Sequence, residues 1–390
     1  MTRPARLRLG MVGGGIGAFI GGVHRISARL DDHYTLVAGA LSATPERAAA
    51  SAAALGLDPA RSYPDYETMA AAEAARPDGI EVVAIVTPNH LHAPAAHAFL
   101  ARGIDVICDK PLAATLAEAE RLAQAVAASG LVFGLTHNYS GYPMVREARA
   151  MVAGGELGAL RVIQVEYAQD WLATPLEASG QKQAAWRTDP ARTGPAGALG
   201  DIGSHAYHLA RFVCGLRCEA VAAECTRFVP GRRVDDNVQC MLRFESGARG
   251  ALWASQVALG HACGLGLRVM GEKAALSWQQ ETPETLTVTR LGEPARILRR
   301  AGPATSGAYP GHVPAGHPEG YLEAFAALYA DFAEQIRARR EGRAPAPASL
   351  LAPGIADGLE GARFIAAALA SSAADGRWTA IVPPAEGVAA

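Results

Sequence analysis

Leu7-Arg8-Leu9-Gly10-Met11-Val12 runs straight into Gly13-Gly14-Gly15-Ile16-Gly17-Ala18. A short apolar run, a glycine turn and a helix-compatible stretch to about Leu30 form the strand–turn–helix context that gives a glycine fingerprint meaning. In Gly13-x-Gly15-x-x-Ala18, Gly13 permits the tight turn and Gly15 lets a pyrophosphate approach the backbone. Ala18 is small enough for close helix-on-strand packing. The helix N-terminus then faces the phosphates with its unpaired amides. The stretch predicts a dinucleotide-binding, doubly wound parallel sheet.

The pattern continues outward. Leu36–Leu41 reads as the next strand, and Thr44-Pro45-Glu46 as a helix start in which Thr44 accepts from free amides and Pro45 needs no donor. Val82–Thr87 is a β-branched run suited to a buried parallel strand, and Ile104–Cys108 and Leu131–Thr136 follow, separated by an alanine-rich helix. After about Ala150 the character changes. Leu160–Tyr167, Asn237–Phe244, Gly250–Val257, Leu265–Met270 and Leu286–Arg290 alternate and come in succession, as in an open, mainly antiparallel sheet. Two helices, Tyr321–Glu341 and Gly354–Ser371, close the chain. The expectation is an α/β protein with a dinucleotide-binding domain over 1–137 and a substrate-binding domain over 138–390.

With 390 residues, half of them hydrophobic, the chain is long enough for two cores, and a net charge of −2 advertises neither nucleic acid nor anionic membrane as partner. The six scattered cysteines read as small buried hydrophobes in a reducing cytosol. Arg3, Arg6 and Arg8 before the apolar run Leu9–Val23 mimic a signal peptide, but that run is glycine-rich and coincides with the first strand and turn. A cytoplasmic location is expected.

Asp31 and Asp32 lie at the usual distance for a ribose-binding acid but precede the second strand, at its wrong end. Past that strand stand Ser42 and then Arg47, a hydroxyl and a guanidinium fork that suit a 2′-phosphate, favouring NADP over NAD. Thr87-Pro88-Asn89-His90-Leu91-His92 follows the third run at the carboxyl edge, with Thr87, Asn89 and His92 expected at the cofactor. His90-x-His92 lacks a third ligand of recognisable spacing, so no metal is expected.

Asp109-Lys110-Pro111 follows the fourth run, and Gly200-Asp201-Ile202-Gly203-Ser204-His205 comes about ninety residues later. Oxidising an alcohol removes a hydride and a proton, so a nicotinamide needs a protein base beside it. Histidine as a residue type suits that role, which falls to His205, and Lys110 would polarise the reacting oxygen. Asp201, four residues before His205, binds a neighbouring hydroxyl, orients the histidine or simply caps its helix. A surface lysine and a satisfied core histidine are the plain alternatives for the other two.

Together these motifs, with Thr-Pro-Asn-x-x-His, Asn138-Tyr139 and Trp186-Arg187, resemble the glucose–fructose oxidoreductase/inositol dehydrogenase/MocA (Gfo/Idh/MocA) family over nearly the whole chain. Gln169-Asp170-Trp171 and Gly197–Asp201 look closest to its levoglucosan dehydrogenase-like sugar dehydrogenases, and Ser42 with Arg47 resembles the NADP pattern of anhydrofructose reductases. The resemblance implies an oxidoreductase acting on a secondary alcohol of a sugar, anhydrosugar or polyol, assembled as a homo-oligomer through an exposed sheet face. It implies cofactor contacts at Gly13, Gly15, Ile16, Asp109 and Lys110, and substrate contacts at Asn138, Tyr139, Trp171, Trp186, Arg187 and His317. Two departures stand out: Asp109 where the family usually has Glu, and His208 where relatives often carry Asp. Relatives that bind the dinucleotide as non-catalytic sensors, or use it for redox-assisted glycoside cleavage, are the alternative functions.

Overall fold

The computed structural model describes residues 4–382. They divide into two compact units, one comprising 4–138 with 322–359 and the other 139–321 with 360–382.

The first unit is a five-stranded parallel sheet in the order β2-β1-β3-β4-β5. The strands are β1 (Leu7–Gly13), β2 (Tyr34–Ala40), β3 (Val82–Val86), β4 (Asp105–Cys108) and β5 (Phe133–Leu135). Helices α1 (Phe19–Leu30), α2 (Pro45–Ala54), α3 (Tyr66–Ala74), α4 (His92–Leu100) and α5 (Leu116–Ser129) alternate with them. Every residue of β3 is buried, which is why its sequence is a continuous apolar run of valine, alanine and isoleucine rather than alternating. Thr115 and Glu118 form a reciprocal capping box at the start of α5, and Gly130 ends it in a left-handed conformation (φ 64°). The strand order reverses between β1 and β3, so the loops after these two strands lie where such sheets take their ligands.

The domain boundary is corrected by Leu322–Leu359, which returns to this first unit. Leu328, Tyr329, Phe332 and Ile336 of the helix Tyr321–Glu341 complete the apolar core with Leu9, Met11, Val82 and Ile107. Tyr34 donates to Tyr329 O (2.8 Å), His24 Nδ1 bonds Tyr329 Oη (2.8 Å), and Leu135 N donates to Pro353 O (2.9 Å). A periodic apolar stripe marks a helix but does not say which sheet it covers.

The second unit carries a nine-stranded sheet in the order β13-β12-β11-β10-β6-β9-β8-β7-β14. Its strands are β6 (Leu160–Ala168), β7 (Cys218–Thr226), β8 (Asn237–Phe244), β9 (Arg249–Ser255), β10 (Gly264–Gly271), β11 (Ala274–Gln279), β12 (Thr285–Arg290), β13 (Arg296–Arg299) and β14 (Thr379–Ala380). Only β6 and β9 pair in parallel; the other neighbours are antiparallel. Strand β8 shows the clean alternation: Val238, Cys240, Leu242 and Phe244 are buried, whereas Gln239, Met241 and Arg243 are exposed. The helices Pro143–Ala153 and Ser204–Cys214 pack together, and the latter lies against β6, β9 and β10. The opposite face of the sheet is a groove of about 630 Å³ lined by Gln164, Glu166, Met241, Ala251, Trp253 and Arg268 among others. No helix among the described residues is long and apolar enough to cross a membrane.

Candidate functional site

In the first unit, the glycine turn is built for close approach. Gly13 and Gly14 have φ of 79° and 72°, a region that only glycine enters freely. A Cβ on Gly15 would stand 2.6 Å from Leu41 O and from Ser51 Oγ. The tight helix-on-strand contact, however, falls at Gly21, where a Cβ would overlap Gly14 Cα; Ala18 instead occupies the N-cap of α1. No side chain caps α1 and no acid sits in its first turn, which leaves its amides facing outward for an anion.

Ser51, which no motif had marked, ties the turn to α2. Its Oγ donates to Arg47 O (2.6 Å) and accepts from Ile16 N (3.1 Å). The exposed Arg47 side chain donates to Ile16 O (3.3 Å), so the guanidinium sits at the rim of the turn. Ser42 Oγ accepts from Thr44 N (3.3 Å), and Thr44 makes no side-chain cap on α2, contrary to its expected role. Asp32 pairs with Arg6 before β2, away from the carboxyl edge.

The register Gly13↔Val86, Ile85↔Cys108 and Cys108↔Leu135 brings the ends of β1, β3, β4 and β5 to one edge. Thr87 and Lys110 both stand there, and the Lys110–Pro111 peptide is cis. Asp109 accepts from Thr136 Oγ1 (2.9 Å) and from Lys110 N (2.9 Å), so it fixes the loop. His92, expected at the cofactor, is instead 1% exposed, with ring nitrogens 2.7 Å from Pro111 O and 2.9 Å from Thr87 O. It pins the Lys110 loop to the Thr87 loop, and burial pulls its pKa down. Asn89 and Asn138 are buried. Thr87 Oγ1 and Asn138 Nδ2 are buried polar atoms without a hydrogen-bond partner within the protein. These orphaned groups, the uncapped helix and the glycine cradle fit a dinucleotide.

In the second unit, Asp201 lies in a π-helical turn (Leu199–Gly203), and Ser204 N donates to Leu199 O five residues back. His205 opens the following α-helix. Asp201 does not cap that helix. Its Oδ2 accepts from Arg187 Nε (3.1 Å) and Gln256 Nε2 (2.8 Å). Arg187 is therefore engaged rather than an open fork for substrate. Its guanidinium stacks 4.2 Å from the Trp186 ring, 5.9 Å from Trp171, and bonds Gln183 Oε1 (2.6 Å). Trp171 donates to Gln169 Oε1 (3.1 Å).

His205 is buried, with the Tyr139 ring edge-on at 4.8 Å. The Tyr139 hydroxyl bonds that of Tyr167, which contacts Cys263 Sγ at 3.1 Å. Burial pushes both phenols well above their usual pKa, so the pair stays neutral. His208 stacks on Phe212 (5.9 Å), and burial among Arg211 and Arg149 lowers its pKa to about 3. His317 is exposed on a loop held by Arg300, which donates to Pro310 O (2.8 Å), Val313 O (2.7 Å) and His317 O (2.7 Å). Among the described residues no group of three His, Cys, Asp or Glu is arranged to hold a metal ion.

Residues 7–137 match the model of the oxidoreductase family with NAD-binding Rossmann fold, and residues 145–277 match the GFO/IDH/MocA C-terminal domain. A solved oxidoreductase from Sinorhizobium meliloti is 51% identical, with a TM-score of 0.87 over 96% of this chain and 99% of that one. An inositol dehydrogenase homolog from Azotobacter vinelandii, solved with NAD+, is 38% identical with a TM-score of 0.91, covering 96% and 97%. Levoglucosan dehydrogenase of Pseudarthrobacter phenanthrenivorans is 30% identical over 95% of this chain and 97% of its own. The parallel sheet with its glycine turn, the mixed second sheet and these matches agree: this chain belongs to the Gfo/Idh/MocA family of NAD(P)-binding oxidoreductases.

Proposed function

We propose that the protein transfers a hydride between a nicotinamide dinucleotide and a secondary alcohol or ketone of a sugar, anhydrosugar or polyol. The observation that carries this reading is Lys110 at the carboxyl edge of the parallel sheet, among the loops that hold the glycine turn and Thr87. The dinucleotide supplies the hydride acceptor or donor. Gly13, Gly15, Ile16, Thr87 and Asn89 bind and orient it, while Asp109 and His92 hold the loops. The Lys110 ammonium stabilises negative charge developing on the substrate oxygen. His205 takes the hydroxyl proton during oxidation and returns it during reduction. Asp201, tied by Arg187 and Gln256, accepts from a neighbouring hydroxyl. Asn138, Tyr139, Trp171 and Trp186 border the substrate, with His317 as a further contact. The uncharged Ser42 just past β2, with Arg47 at the turn, favours NADP. The NAD+ bound to the Azotobacter homolog favours the other choice.

The test incubates purified protein with sugars, anhydrosugars and inositols and either oxidised dinucleotide, reading reduced-nicotinamide absorbance. Turnover with one cofactor, falling roughly 100-fold or more in Lys110→Ala while cofactor affinity is kept, is the expected result. Cofactor binding with no turnover on any substrate would sink the dehydrogenase reading in favour of a sensor. Glycoside cleavage without net nicotinamide reduction would favour the redox-assisted glycosidase.

A further inference from the structure

Asp235 is a buried carboxylate that the proposed chemistry does not use. Its Oδ1 accepts from Gly197 N (2.7 Å) and its Oδ2 from Leu199 N (2.7 Å). Its own carbonyl accepts from Ala198 N (2.9 Å). Three consecutive amides at the start of the turn are thus held by one residue. Position 197 has to be glycine for this, because a Cβ there would overlap Asp235 O. The next residue closes a ring: Asp236 O accepts from Gln256 N (2.9 Å), and the Gln256 side chain donates to Asp201 Oδ2 (2.8 Å). The Asp235–Asp236 pair therefore grips Asp201 from both directions, through the backbone that carries it and through the amide that binds its carboxylate.

We propose that Asp235 is a positioning residue, fixing the start of the 197–203 turn and thereby the setting of Asp201 and His205. Its bearing on turnover rests on the dehydrogenase reading above. Both oxygens must accept, so only the ionised carboxylate makes both bonds. Protonation turns one oxygen into a donor and releases an amide. Burial raises the Asp235 pKa to about 6, against the pull of the Gly197 and Leu199 amides. The groups facing it do not reverse this. Asp236 raises it further and is itself paired with Arg232, while the thiols of Cys225 on β7 and Cys240 on β8 are pushed up by burial and stay neutral. The turn is thus clamped above pH 6 and loosened below it.

The experiment follows hydrogen exchange of peptides spanning 195–205 in the wild-type protein from pH 5 to 8, corrected for intrinsic rates, and in Asp235→Asn at pH 7.5. Protection that rises through about pH 6 in the wild type, and is lost at least ten-fold in the variant, is expected. Flat protection across the range, or an unchanged variant, overturns the proposal. If Asp235→Asn does not fold, the wild-type pH series decides alone. With an active substrate, the variant should lose about ten-fold in kcat at unchanged cofactor affinity, and the wild-type step in kcat near pH 6 should vanish. A variant with wild-type kcat at every pH overturns the catalytic part. Absence of any wild-type turnover refutes the dehydrogenase reading while the exchange result still stands or falls by itself.

Discussion

Arg187 shows how one side chain changes meaning once its partners are known. A guanidinium beside two tryptophans reads from sequence as a fork for sugar hydroxyls, yet its Nε is bonded to Asp201 and its Nη1 to Gln183. Arg187→Met should therefore act through Asp201, lowering kcat/KM by about 10- to 100-fold, the value of a hydrogen bond to a charged group. Arg187→Lys should restore only part, because an ammonium cannot reproduce the planar fork. Steady-state kinetics on the best polyol check this; a full rescue by lysine would restrict the role of Arg187 to its charge. Ser51, Gln256 and Asp235 were illegible for a related reason. Each is a common polar residue whose importance lies in a partner distant in sequence, such as Gln256 on Asp201. Only Ser51 left a trace, standing one helical turn after Arg47.

Among the elements, the glycine turn makes the sharpest demand on sequence. Gly15→Ala places a methyl 2.6 Å from Leu41 O, a backbone atom that cannot swing away. The variant should bind either dinucleotide at least about ten-fold more weakly, roughly 1.4 kcal/mol. Quenching of protein fluorescence on titration measures it, with circular dichroism to show that the fold persists. This turn, strands β1 to β5 and helices α1, α2 and α5 were readable, the strands because burial on both faces leaves unbroken apolar runs, whereas α3 and α4 were not read. In the second sheet, β6, β8, β9, β10 and β12 were readable by alternation, but β11, β13, β14 and above all β7, Cys218–Thr226, were not. Its run Ala220-Val221-Ala222-Ala223 has neither alternation nor β-branched bulk beyond Val221. The π-turn at Leu199–Gly203 was equally hidden, since spacing by four reads as ordinary helix.

At the scale of the whole molecule, two buried histidines, His24 and His208, weaken the fold in acid. Burial holds His24 neutral down to about pH 4 and His208 down to about pH 3, against an ordinary value of 6.5. As pH falls below 6.5 the unfolded chain takes up these protons first, so their contribution is complete above that pH and is lost toward 4 and 3. Thermal midpoints should drop steadily from pH 7 to pH 4, and His208→Asn should flatten that slope; an unchanged slope would remove His208 from the account. The open face of the nine-stranded sheet carries Met241, Trp253 and Ala251 beside Arg268 and Glu166, a mixture suited to a second copy of itself. Met241→Glu should halve the mass seen by light scattering if the homo-oligomer forms there. Finally, the return of Leu322–Leu359 to the first sheet orders events during synthesis. Phe332 covers the backbone at Gly134, and Pro353 pairs with Leu135, so the nucleotide half cannot complete its core when residue 138 leaves the ribosome. Its last layer arrives some two hundred residues later, after the other sheet has been translated. A nascent chain stalled near residue 150 should accordingly be open to protease, and one stalled beyond the whole returning segment should resist it.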